Sequence, residues 1–315
     1  VNFLLLYIES FDKVGENVMK RPIKLKPVYK SAIWGGSALR ELYGVDEPLP
    51  ELAEAWQLTV REDGMNIMQS GAGAGQPLDS LEGVNIEDFP LLDKFIDAGA
   101  PLSIQVHPAK TEMWYIVDAK PGARLVYGTK PGMTEEKLRA ALEAGTLEDC
   151  MNYVEVKKGE TYFIPTGLTH AIGGGILIAE IQENSNVTYR VYDYNRRGSD
   201  GKLRRLHTDE AFPVMRSFTD KEIKSLRYSR PAYVPAGGEL LAACDIFTSI
   251  RYSTAGGITL PALENFAHVL VIGGQGRVGG IPVKGGDSIY VPAGSGSFPV
   301  EGVLEIIVSV CPKNG

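Results

Sequence analysis

Gly159-Glu160-Thr161-Tyr162-Phe163-Ile164-Pro165-Thr166-Gly167-Leu168-Thr169-His170 is the stretch that decides how this chain folds. A glycine turn opens it, the β-forming run Thr161 to Ile164 follows, and a Pro-x-Gly corner ends the strand and presents His170. The stretch recurs as Lys284-Gly285-Gly286-Asp287-Ser288-Ile289-Tyr290-Val291-Pro292-Ala293-Gly294, and the spacing from Gly286 to Pro292 to Gly294 equals that from Gly159 to Pro165 to Gly167. A strand and corner that repeat are a structural unit, so two related β modules are expected. Ser297 stands in the second copy where His170 stands in the first, and the upstream run His268 to Ile272 has no carboxylate nearby. The first module is therefore armed for chemistry and the second is not. A boundary is expected near Pro231-Ala232-Tyr233-Val234-Pro235, after a polar connecting segment.

Composition bounds the rest. With 315 residues, 44% hydrophobic and 23% charged, the chain is long enough for one large or two ordinary globular domains. Its 36 glycines and 19 prolines fall between short apolar runs, which favours short strands and turns over long helices. A net charge of −7 argues against nucleic acid as a partner, since that needs many cationic side chains; a small anion needs only local positive charge. The three cysteines, Cys150, Cys244 and Cys311, are widely spaced and lack a Cys-x-x-Cys pair, so a reducing cytoplasm is expected. The apolar run Phe3 to Ile8 is too short to span a bilayer and has no basic residue before it, so neither a signal peptide nor a membrane anchor is read there. Met19-Lys20-Arg21-Pro22 is the more natural start, and residues 1–18 are expected to form an extension outside the core.

Along the chain, Trp34 and Trp56 are expected to pack in the core, and Gly71 to Gly75 lacks the Gly-Lys-Ser/Thr ending of a phosphate loop and reads as a turn. Thr134 to Gly145 is the clearest helix, with a threonine cap, acids in its first turn and a terminating glycine. In the run from Leu102 to Pro108, strand alternation puts Ser103, Gln105 and His107 on one face and Leu102, Ile104 and Val106 on the other. Glu112 opens the next strand, Glu180 sits in the middle of the apolar run Ile176 to Gln182, and Arg190 shares a face with Thr188 and Tyr192. Each has a bland alternative: packing for His170, an exposed strand edge for Glu112, a salt bridge for Arg190. Arg196, Arg197, Lys202, Arg204 and Arg205 cluster within ten residues; a solvated face partly neutralised by Asp200, Asp209 and Glu210 is the bland reading, a local source of positive potential in an acidic chain the functional one.

Together Gln105, His107, Glu112 and His170 offer an amide oxygen, a carboxylate and two imidazoles, a donor set that suits Zn²⁺, Fe²⁺, Mn²⁺ or Co²⁺. Gly-x5-Pro-x-Gly-x2-His is the second motif of the cupin β-barrels, and the run from His107 to Glu112 resembles the first. Gln105-Val106-His107-Pro108, with Ile33-Trp34-Gly35-Gly36, Glu54-Ala55-Trp56, Phe89-Pro90-Leu91-Leu92, Lys110-Thr111-Glu112-Met113-Trp114-Tyr115 and Tyr189-Arg190-Val191-Tyr192-Asp193, resembles the type I mannose-6-phosphate isomerases. Gln57 follows Trp56 where many relatives have glutamate, and only Ala109 separates Pro108 from Lys110 where relatives carry a longer segment.

The resemblance implies a mainly β fold of two cupin (jelly-roll) barrels with a few short helices, the second barrel lacking the metal site. In this chain that gives a catalytic domain over 19–235 with a helical insertion near 134–150, and a degenerate domain over 236–315. It further implies one Zn²⁺ per chain on Gln105, His107, Glu112 and His170. Arg190 matches the family's catalytic arginine, Ser103 and Lys110 match active-site positions, Glu180 an acidic site residue, and Arg196 a basic residue that meets the substrate phosphate. The implied reaction interconverts D-mannose 6-phosphate and D-fructose 6-phosphate through a cis-enediol, with a small sugar phosphate as the ligand and the choice between monomer and homodimer open. Lys110, Glu180 and a water on the metal are the candidate bases. The rivals are a non-catalytic sugar-phosphate-binding cupin and a non-haem iron cupin dioxygenase.

Overall fold

The computed structural model describes residues 21–198 and 200–312; the extension expected over 1–18 lies outside them. Strands dominate the described residues and the helices are short. The chain divides into two compact units.

One unit comprises Tyr29–Ala55 and Leu92–Ser229. Its strands are β1 (Val28–Ser31), β2 (Leu52–Leu58), β3 (Leu91–Ala98), β4 (Ile104–Val106), β5 (Glu112–Ala119), β6 (Arg124–Thr129), β7 (Met151–Glu155), β8 (Thr161–Ile164), β9 (His170–Ile172), β10 (Ile176–Glu183) and β11 (Tyr189–Tyr192). They form a six-stranded sheet in the order β8-β5-β10-β3-β2-β1 and a five-stranded sheet in the order β7-β6-β9-β4-β11. Ile96, Trp114, Ile116 and Ile178 of the first sheet share a buried cluster with Leu125 and Ile172 of the second. Each such side chain contributes about 1.5–3 kcal/mol on burial. The opposite face of the five-stranded sheet buries Ile104, Val106, Val126, Ala171 and Val191 under Leu138, Leu147 and Phe212. Leu138 belongs to the helix Glu135–Glu143, whose N-terminus is capped by Thr134 accepting from the Lys137 N–H.

Alternation around Gln105 holds for Ile104 and Val106 and fails for Leu102, which joins the cluster shared by the two sheets. The reason is that β4 begins only at Ile104, so Leu102 lies in the preceding connection, its N–H donating to Ile172 O at 2.8 Å.

The other unit gathers the described residues up to Val28, Trp56–Leu91 and Arg230 onward. Its eight-stranded sheet follows the order Gly238–Ala243, Thr248–Leu260, Phe298–Val310, Ala267–Val278, Ser288–Val291, Ile23–Lys26, Ile67–Met68, with Ile281–Lys284 paired to Ala267–Val278. A single cut near residue 235 therefore does not separate the units. Residues 56–91, expected in the first module, cluster with the C-terminal one because Ile23 pairs with Tyr290 and Leu25 with Met68, which extends that sheet with N-terminal strands. Asn66 secures the join by donating from Nδ2 to Lys26 O at 2.9 Å and to Trp56 O at 3.2 Å.

The repeated stretch has the same backbone in both units. Gly159 and Gly286 have φ of 90° and 88°, Gly167 and Gly294 have φ of 89° and 77°, and the strands between them are Thr161–Ile164 and Ser288–Val291. Left-handed φ at both ends explains why glycine is needed there. At Gly167 space is lacking as well: a Cβ would sit 2.8 Å from Val214 O. The Gly167 N–H donates to His107 O at 3.0 Å, so the corner holds the metal-side strand in place. Gly167→Ala should therefore cost about 2–3 kcal/mol of stability. Gly122→Ala, at φ 76° with nothing within 4 Å, should cost clearly less. Denaturant midpoints of the two variants check this, and equal losses would remove the steric part of the account.

Candidate metal centre

His170 opens β9 directly after the corner, and its backbone pairs with Tyr127 of β6 and Gln105 of β4. Gln105 in turn pairs with Arg190 of β11. Directly opposed residues share a face, so His170, Gln105 and Arg190 form a row across three strands. His107 follows Gln105 by two residues. Glu112 comes from the other sheet, where it opens β5 opposite Ile164 and Gln182.

The side chains of His107, Glu112 and His170 are 2%, 0% and 0% exposed. His170 Nδ1 lies 2.7 Å from Leu168 O, and His107 Nδ1 lies 3.0 Å from Val187 O. A carbonyl can only accept, so each Nδ1 carries the proton and each Nε2 presents a bare lone pair. Those two Nε2 atoms are 3.2 Å apart. Glu112 Oε2 is 3.5 Å from His107 Nε2, and Oε1 is 3.5 Å from His170 Nε2. Neither carboxylate oxygen accepts a well-formed hydrogen bond; Oε2 has the ion-pair contact with Lys110 Nζ at 2.8 Å.

Charge explains why protons do not resolve this. Burial, together with Lys110 and His170, holds His107 well below the ordinary imidazole range, and burial lowers His170 in the same direction. Burial works to raise Glu112, but the Lys110 ammonium overrides it and keeps the carboxyl ionised. Two lone pairs and a carboxylate thus converge in a dry place with no proton to share. Donors set tetrahedrally around one ion at roughly 2.0–2.1 Å lie about 3.3–3.4 Å from one another, close to the separations found here. The residues fit a divalent metal. Among the described residues this is the one group of three His, Cys, Asp or Glu side chains so placed.

The other expected site residues fall around this group in different ways. Lys110 is buried, ion-paired with Glu112 and donating to Gln182 Oε1 at 3.2 Å. Glu180 is buried and committed: Oε1 pairs with Lys94 Nζ at 3.0 Å and Oε2 accepts from Trp114 Nε1 at 3.0 Å. Burial would lower the Lys94 ammonium, but Glu180 and Glu54 override it and raise it. Ser103 is buried two residues before Gln105. Arg190 is half-buried, donating from one terminal nitrogen to Arg205 O at 2.9 Å, while its Nε is buried without a partner. Arg196 is tied to Asp193 Oδ1 at 2.6 Å and to the Pro101 carbonyl, and Arg204 grips both oxygens of Asp193.

Much of the expected positive cluster is thus neutralised, by Asp193 and by Glu210, which pairs with Arg205 at 3.1 Å. Lys94, Gln182 and Asp193 were not singled out in the sequence. The available signal for Lys94 was a lysine sharing a strand face with Leu92 and Ile96, where packing alone calls for an apolar residue.

The description "phosphomannose isomerase type I, catalytic domain" matches residues 23–135. Mannose-6-phosphate isomerase ManA of Bacillus subtilis is 35% identical over 91% of this chain and 98% of its own length. The chain belongs to the type I phosphomannose isomerase family. The crystal structure of the Bacillus subtilis mannose 6-phosphate isomerase superposes with a TM-score of 0.82 at 30% identity, over 92% of this chain and 99% of that one. A mannose 6-phosphate isomerase bound with zinc and yttrium shares the fold at a TM-score of 0.69 and 15% identity, over 92% and 99%. The matched residues include Gln105, His107 and Glu112, while His170 and Arg190 lie beyond them. No helix among the described residues is long and apolar enough to cross a membrane.

The buried imidazoles set the acid behaviour of the metal-free protein. Their folded pKa values are depressed, so below about 6.5 the unfolded chain takes up protons that the folded rings refuse. Stability should be full above that value and fall as pH drops towards the folded values. Metal-free protein unfolded in urea across this range should show the fall, and the double substitution of His107 and His170 by Asn should flatten it; an unchanged slope would show that other groups carry it.

Proposed function

We propose that this enzyme interconverts D-mannose 6-phosphate and D-fructose 6-phosphate, using one Zn²⁺ held by His107, Glu112 and His170 with Gln105 as the fourth protein donor. The observation that carries the reading is the buried convergence of two Nε2 lone pairs on the Glu112 carboxylate, which Lys110 holds ionised. The solved relative bound with zinc supports zinc over the other divalent ions. We also read the two units as cupin barrels, the second without donors: Ser297 is exposed where His170 is buried.

Moving a proton between C2 and C1 builds negative charge on two neighbouring oxygens, and the bound ion supplies Lewis-acid stabilisation of that charge. The chain's own part is to orient and to move the proton. Arg190 stands on the row with Gln105 and His170, and its permanent guanidinium charge would steady the substrate oxygens. Lys110 touches the metal-side carboxylate and is the proton-carrying candidate facing the donors. Glu180, held by Lys94 and Trp114, braces the floor under Glu112 and His170. Ser103 and Arg196 are assigned to the substrate, Arg196 to its phosphate.

A coupled assay of mannose 6-phosphate conversion tests the reading. Chelation should abolish turnover and Zn²⁺ should restore it; turnover in protein shown free of metal would end the zinc assignment. Arg190→Ala should lower kcat by about 10²–10³-fold with metal content unchanged, and near-normal turnover would take Arg190 out of the reaction.

A further inference from the structure

Arg190 sits where the fold alone would leave it loose. β11 is an edge strand, pairing on one side only, and its register with β4 shifts between Arg190 and Tyr192. An edge strand has one row of N–H and C=O groups unpaired, and a bulge loosens the ladder further. For a residue that must meet developing charge, such freedom costs rate.

The segment Arg205 to His207 removes it. The Arg190 N–H donates to His207 Nδ1 at 3.1 Å, and the His207 N–H donates to Arg190 O at 2.7 Å. The Arg190 guanidinium donates to Arg205 O at 2.9 Å. One residue is thus held at its donor, its acceptor and its side chain by two positions of one short segment, Arg205 and His207. The imidazole also lies 6.2 Å, centroid to centroid, from the Tyr189 ring.

We propose, resting on the isomerase reading above, that His207 is a positioning residue for Arg190: its neutral ring caps the free edge of β11 at the one position where displacement would move the guanidinium. The ring can accept at Nδ1 only while that nitrogen is unprotonated, which puts the proton on Nε2. Burial with the charges of Arg190 and Arg205 favours the neutral ring, and Glu210 opposes them. His207 therefore acts on the reaction through Arg190.

His207→Ala removes the ring and with it the acceptor for the Arg190 N–H, while the His207 N–H to Arg190 O bond and the guanidinium bond to Arg205 O remain, so it isolates the side-chain contribution. His207→Asn places an amide oxygen near the Nδ1 position and keeps an acceptor. In the zinc-loaded enzyme, His207→Ala should lower kcat about 10- to 100-fold with KM little changed, and His207→Asn should recover most of the loss. Thermal unfolding and zinc content, measured alongside, should match the parent in both variants. Normal kcat in His207→Ala, or His207→Asn as impaired as His207→Ala, would overturn the proposal. A second readout needs no turnover: hydrogen exchange at the Arg190 amide should accelerate about tenfold in His207→Ala and return towards the parent rate in His207→Asn, consistent with loss of one bond. Unchanged exchange would also overturn it. If the parent protein fails to convert mannose 6-phosphate, the isomerase reading falls, and the exchange measurement still decides whether His207 holds Arg190.

Discussion

Two imidazole nitrogens facing each other at 3.2 Å, each with its proton committed to a carbonyl on the far side of the ring, repel unless a cation lies between them. The nearest carboxylate, Glu112, cannot supply a proton because Lys110 keeps it ionised. That arrangement is the constraint on which the site depends. Leu168 O and Val187 O fix the two tautomers, the corner at Gly167 binds His107 O, and Gln182 and Glu112 share Lys110. Each of these contacts aims a lone pair at the same point.

The polar groups around the donors are arranged in rows rather than pockets. Across the five-stranded sheet, His170, Gln105 and Arg190 stand side by side, which sets the arginine about two strand spacings, or roughly 10 Å, from the histidine backbone. Across the six-stranded sheet, Lys94, Glu180 and Trp114 form a buried charged step beside Glu112. Removing one member would leave an uncompensated buried charge, which costs several kcal/mol, so the step is both a brace and a liability. The second unit shows what the same corner does without donors. There Ser288, which opens the strand Ser288–Val291, meets His268 of the neighbouring strand Ala267–Val278 at 2.7 Å, a packed histidine with an ordinary partner.

What could be read in the sequence depended on whether the signal was local. The Gly-x5-Pro-x-Gly spacing gave both strands and both left-handed glycines because turn chemistry is written in adjacent residues. Thr134 and Gly145 bounded the helix for the same reason. His107, Glu112 and His170 were legible because a donor set and a motif mark them. Lys94 was not, since its meaning depends on Glu180, 86 positions away, becoming its neighbour through sheet order. The grouping of residues 56–91 with the C-terminal unit likewise rests on the pairing of Leu25 with Met68, and no local pattern encodes it. Of the acids that neutralise the arginine cluster, Glu210 was legible beside Arg205, whereas Asp193, just upstream, takes two further members that no local pattern assigned to it.

The most direct test of the account is anomalous diffraction at the zinc absorption edge from crystals of the zinc-loaded protein. The account predicts one peak per chain, about 2.0–2.2 Å from His107 Nε2, His170 Nε2 and a Glu112 oxygen. Crystals of loaded protein with no peak at these atoms, and with Glu112 bound only to Lys110, would contradict it.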